Sequence, residues 1–182
     1  MPKKKSEKPA KKRPVRESKP KAPPRQQERA KEAEGSASFD EFLRGPALSM
    51  EADADSDDAL VEAQRLVEKG YAAATDEEAA EWAVKALQTS PLCADAYLLL
   101  AQLEADSDSE LLELQELAVA AGMHAIGPDR FEQWRGEFWS IPETRPFMRA
   151  KAELIHSLCA ALYKGQALLH LRQMIDLNPG DN

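Results

Sequence analysis

Glu153 and His156 stand three residues apart, and in a helix that spacing puts a carboxylate and an imidazole on one face. Two such motifs facing each other, with further carboxylates, build a di-iron or di-manganese centre. The chain holds one, and its other histidines, His124 and His170, lie outside the spacing, so no metal site is expected. Cys93 and Cys159 sit in helix-like stretches rich in Ala and Leu, where a thiol behaves as a small apolar side chain. Both are expected to be reduced and buried. There is no Gly-rich phosphate loop, nucleophile elbow or paired Cys/His motif. The residue chemistry therefore points to a chain that catalyses nothing and carries no cofactor.

Recognition chemistry is better represented. Arg145 and Arg149 flank Pro146 beside Glu143, and each guanidinium can grip a carboxylate through two parallel hydrogen bonds, from a partner or from an acidic neighbour. Phe131, Trp134, Phe138 and Trp139 recur at helical spacing, which reads as core packing. The alternative for this segment is an inserted helix that fills a groove and regulates access to it.

Charge divides the chain. The 182 residues carry a net charge of −8. Residues 1–31 hold 13 Lys or Arg against 3 Glu, whereas residues 32–182 hold 11 basic and 29 acidic side chains. The first segment contains six prolines and, after the initiator Met, nothing more apolar than Val15. Too little hydrophobic surface is available there to offset the entropy of ordering the backbone, so residues 1–31 read as a disordered basic arm. Its clusters, Lys3-Lys4-Lys5 and Lys11-Lys12-Arg13, suit electrostatic contact with nucleic acid. With no aromatic side chain to stack on bases, such binding would be sequence-blind and salt-sensitive. The bland alternative is a solvated tail, or one that folds back on the acidic body.

Residues 32–54 read as a flexible linker with one apolar island, in which Phe39, Phe42 and Leu43 share a helical turn. That island fits either a short capping helix or a linear motif for a partner groove. No 18-residue apolar run exists for a transmembrane segment and no signal peptide is apparent, so cytoplasmic or nuclear residence is expected.

From about residue 55 the apolar pattern turns helical. Asp57-Asp58 suit a helix start, and Leu60, Ala63, Leu66, Val67 and Gly70 form the stripe of a first helix. Thr75 with Glu78 three residues on outlines a capping box for a second, which Pro91 closes. A third helix is predicted over Cys93–Ala105. A fourth is predicted over Ser109–Ala121, with Ser107 or Ser109 at its start and Gly122 placed to end it. Residues 123–144 break the rhythm, with a short helix after Pro128. From Pro146 a helix is predicted to about Tyr163, and beyond Gly165 a last one to Leu177.

The helix ends repeat. Ala86-Leu87-Gln88-Thr89-Ser90-Pro91 and Met174-Ile175-Asp176-Leu177-Asn178-Pro179 share a cadence, each with an Ala seven residues before its first member (Ala79, Ala167). Tyr97, Leu100 and Ala101 place an aromatic, a Leu and a small residue on the following packing face. This resembles the tetratricopeptide repeat, with helix pairs at about 58–90, 93–122 and 146–178, although Lys151 replaces the aromatic in the third. More narrowly, Ser90–Ala101 is similar to a stretch of the suppressor of tumorigenicity 7 family. Glu143-Thr144-Arg145-Pro146-Phe147-Met148-Arg149-Ala150 is similar to a segment of that family's bacterial relatives.

The resemblance implies an all-α domain over residues 55–182, with about three antiparallel helix pairs and a short helical insertion. In tetratricopeptide arrays the inner faces of the first helices line a peptide groove, here Gln64, Glu68, Asp95, Leu98, Gln102, Arg149 and His156. The basic clamp that grips acidic C-termini is missing, so a basic or mixed protein ligand is expected. The implied role is a non-catalytic interaction adaptor, with an accessory protein that binds nucleic acid through its arm as the alternative. Leu168, Leu169, Leu171 and Ile175 leave the final helix apolar where a terminal repeat needs a polar outer face, and this suggests a homodimer through that end.

Overall fold

The computed structural model describes residues 57–180. The basic arm of residues 1–31, the linker of residues 32–54 and its Phe39-Phe42-Leu43 island lie outside the described residues. Those described form an all-helical chain without strands.

Local chemistry sets the helix ends. Helix α1 (Asp57–Tyr71) opens on Asp57 and Asp58 and carries Lys69 in its last turn, so both ends complement the helix dipole. Helix α2 (Asp76–Thr89) is capped by Thr75, whose Oγ1 accepts from the Glu78 N–H at 3.2 Å, while Glu78 accepts from the Ala74 N–H at 3.4 Å. Ser90 then ends α2 in an extended conformation ahead of Pro91. In helix α3 (Ala94–Glu104) every residue from Ala94 to Ala101 is buried, which makes it the centre of the array.

Helix α4 (Asp108–Ile126) begins at Ser107, which accepts from the Glu110 N–H at 3.2 Å, with Glu110 accepting in turn from Asp106 at 2.9 Å. It runs five residues past its predicted end. Gly122 does not stop it, because this glycine answers a packing demand. A β-carbon there would lie 2.9 Å from both Cα and Cβ of Phe147, so α4 and the helix carrying Phe147 touch backbone to backbone. Gly127, at φ +75°, is the true terminator.

Helix α5 (Pro128–Gln133) starts with proline in its first turn, and a 3₁₀ turn (Pro142–Thr144) feeds helix α6 (Arg145–Ala160). Helix α6 stops three residues earlier than predicted. Leu162 adopts φ +64°, and the Tyr163 N–H donates back to the Leu158 carbonyl at 2.8 Å, closing the turn into helix α7 (Lys164–Leu177).

Consecutive long helices pack on one another: α1 on α2, α2 on α3, α3 on α4, α4 on α6 and α6 on α7. In addition α1 touches α3, and α3 touches α6. These three alternate helices therefore adjoin in order along one side. Two apolar clusters hold the C-terminal half. Phe138, Phe147, Met148, Ile126 and Leu177 form one, flanked by Phe131, Trp134 and Trp139. Leu154, Leu158 and Ala167 form the other, between α6 and α7. The aromatic segment packs on the core, but not as one helical face, because α5 ends at Gln133 and Trp134, Phe138 and Trp139 lie in the turns beyond it. Phe131, Phe138 and Phe147 meet edge to face at centroid distances of 4.9–6.0 Å.

The cysteines divide. Cys93 is buried, but Cys159 is exposed, contrary to expectation. Leu154 and Leu158 hold the inward stripe of α6, and the next residue is turned about 100° away from it. Among the described residues no helix is long and apolar enough to cross a membrane.

Candidate functional site on the face shared by three helices

Asp95 is the fixed point of the face formed by α1, α3 and α6. Its carboxylate is 3% exposed and receives donors from the helices on either side. From α1, Gln64 Nε2 donates to Oδ2 at 2.8 Å. From α6, Arg149 grips both oxygens, with Nε donating to Oδ1 at 3.0 Å and Nη2 donating to Oδ2. Gln64 in turn accepts from the Cys93 thiol at 3.8 Å. The hydrogen bonds it donates to Asp95 hold the Arg149 guanidinium above its ordinary pKa, so the fork stays charged while 45% of it faces solvent.

Each helix contributes a line of residues at one helical face. These are Gln64, Glu68 and Tyr71 on α1; Asp95, Leu98 and Gln102 on α3; and Arg149, Glu153 and His156 on α6. Asp95 and Leu98 are withdrawn into the floor, at 2% and 4% exposure, instead of being presented to a ligand. Glu68, Gln102 and His156 stand exposed above them. Two neighbours absent from the sequence reading, Tyr71 and Glu153, are exposed on the same side. Desolvation pushes the Tyr71 hydroxyl up to about 12, and the Asp95 carboxylate adds to that shift, which ties Tyr71 to the cluster.

Arg145 does not join Arg149. Its Nε donates to the Trp139 carbonyl at 3.1 Å and its Nη2 to the Ser140 carbonyl at 3.4 Å, so it ties the inserted segment to the start of α6. From the same insertion, Arg130 on α5 reaches Asp57 at the start of α1, 3.2 Å away. Glu153 and His156 stay exposed, and no group of three or more metal-ligating side chains occurs among the described residues. Lys3, Lys4, Lys5, Lys11, Lys12 and Arg13 lie outside the described residues.

Lys151, marked in the sequence only as a departure from the repeat, has an unexpected environment. It is 3% exposed, with Nζ donating to Gln173 Oε1 at 2.6 Å and facing His170 Nδ1 at 3.2 Å. The Phe147 ring lies 5.5 Å from the ammonium. The available signal was a lysine at a buried register position opposite His170 and Gln173, which share one face of the next helix.

Burial pushes the Lys151 ammonium down to about 8. The unfolded chain therefore keeps a proton that the folded chain has lost between pH 8 and 10.5, so stability rises with pH through that window. Lys151→Met should remove a gain of about 2 kcal/mol that the wild type shows between pH 7.5 and 9.5, each shifted pKa unit being worth about 1.4 kcal/mol. Urea titrations at the two pH values measure the difference. His170 is lowered by burial and then by Lys151, with Glu116 opposing, so its neutral form's contribution to stability is lost as pH falls below 6.5. The chain matches no protein-family model, no curated protein and no solved structure.

Proposed function

We propose that the chain is a non-catalytic interaction adaptor, a tetratricopeptide-like array whose face across α1, α3 and α6 is a groove for an extended segment of a protein partner. The observation that carries this reading is the Gln64–Asp95–Arg149 link. One buried carboxylate holds three helices in register, so that the exposed side chains above it keep a fixed spacing. Two of those side chains, Glu68 and Glu153, are acidic, and Tyr71 offers an aromatic surface at 54% exposure. Arg149 is already neutralised by Asp95. A ligand with Lys or Arg flanking an apolar residue suits this surface, because its cations meet carboxylates and its apolar side chain meets the ring.

The test is fluorescence anisotropy of two labelled peptides, one rich in Lys and Arg and one rich in Asp and Glu, against the full chain. The basic peptide should bind in preference, and the Glu68→Lys/Glu153→Lys variant should weaken it at least about tenfold through like-charge contacts. Equal binding of both peptides, or no effect of the double substitution, would reject the groove. Repeating the titration with nonspecific RNA and with residues 1–31 deleted separates the arm from the body. Affinity confined to RNA and lost with the arm would assign the binding to the basic segment instead.

A further inference from the structure

Helix α7 is apolar on two sides. Ala167 and Leu177 are buried and Met174 is half-buried, on the side that packs against α6 and the aromatic cluster. Leu168, Leu171 and Ile175 repeat the three-and-four spacing on a flanking side, about 100° round the helix, where they stay exposed. They are 48%, 44% and 49% exposed, with Leu169 beside them at 60%. Leu162 and Tyr163, in the turn that leads into α7, are exposed as well. Six of the nine exposed large hydrophobic residues among those described therefore fall within residues 162–175. Scattered exposed apolar residues are ordinary, but a stripe at seam spacing is not.

We propose that this outer face of α7 is a two-fold interface with a second copy of the chain. A seam reading Leu168, Leu171, Ile175 is apolar along its whole length, and a two-fold axis near its middle lays it on itself. Size agrees. Leu162, Tyr163 and the three seam residues, each about half uncovered or more, offer on the order of several hundred Å² per copy, which approaches the roughly 800 Å² per partner of a standard interface. Charge selects the occupant. Of the 21 carboxylates in residues 57–180, only Asp176 lies on α7, beside Lys164 and Arg172. This end is where two copies of an otherwise acidic body repel least, and where a basic ligand finds little to attract it. The interface is independent of the proposed groove, since α7 contributes nothing to the face around Asp95.

Light scattering on the full chain at tens of micromolar should give about 40 kDa, twice the 20.1 kDa of one copy. Leu168→Glu/Ile175→Glu should return the mass to 20.1 kDa with the far-ultraviolet helical signal unchanged, because both positions are exposed. In a Cys159→Ser background, oxidised Leu171→Cys should form a disulfide-linked dimer, while Val61→Cys on α1 should not. A wild-type mass of 20.1 kDa at high micromolar overturns the proposal, and so does a dimer that survives the double glutamate variant. Should the glutamates unfold the chain, the cysteine pair decides: failure of Leu171→Cys to cross-link overturns it.

Discussion

Phe138→Ala should lower stability by about 4 kcal/mol, within the range of about 3–5 kcal/mol for emptying a buried aromatic site. Phe138 has no exposed surface and lies edge-on to Phe131 and Phe147. Truncation removes the ring that both of them pack against. Collapse of the site is resisted because its backbone is held on both sides. The Phe138 N–H donates to the Leu177 carbonyl at 3.4 Å, and the Phe138 carbonyl accepts from the Thr144 hydroxyl. Urea denaturation followed by tryptophan emission measures the loss, since Trp134 and Trp139 pack on the cluster. Phe131→Ala, at a half-buried position, should cost less than Phe138→Ala. A loss under about 1 kcal/mol for Phe138→Ala would mean that the aromatic segment is not core.

Arg149→Met should cost about 3 kcal/mol, at the lower end of what breaking a buried pair costs. The effect is asymmetric. Asp95 is 3% exposed, so losing Arg149 strands a carboxylate with only Gln64 to donate to it. Arg149 is 45% exposed, so losing the Asp95 charge lets the guanidinium turn to water. Asp95→Asn should therefore cost less, about 1–2 kcal/mol, and adding it to Arg149→Met should recover part of the loss. A double-mutant cycle by urea denaturation reads the coupling. Additive effects would show that Asp95 does not hold α6 to α3.

Much of this architecture is legible in the sequence, because helix starts and stops are local. Thr75 with Glu78 and Ser107 with Glu110 announce caps through side chains that bond within four residues. The apolar stripes around Ala63, Ala83 and Leu100 follow the helix period. The failures are tertiary. Gly122 looks like a terminator, since glycine after an apolar run commonly is one, yet its function is to let Phe147 approach. Asp95 looks like a groove residue because its position on α3 points at the shared face. Nothing local reveals that Gln64 and Arg149 converge on it from 31 residues before and 54 residues after. Lys151 was legible only as an anomaly, since its environment is set by the packing of α6 against α7.

In a linear array each element touches only its neighbours, so the last one ordinarily opens first and exchanges its amide protons fastest. Here the inserted segment stitches down the end of α7. The Gly136 N–H donates to the Leu177 carbonyl at 2.9 Å, and the Trp139 N–H donates to Asn178 Oδ1 at 3.2 Å, across 39 residues of sequence. Helix α7 cannot lift away alone. Its release must also free the 134–139 loop and uncover Phe138, so these segments form one cooperative opening unit with protection close to that of global unfolding. Among the described helices fraying is displaced to the α1–α2 pair, which should take up deuterium before the others.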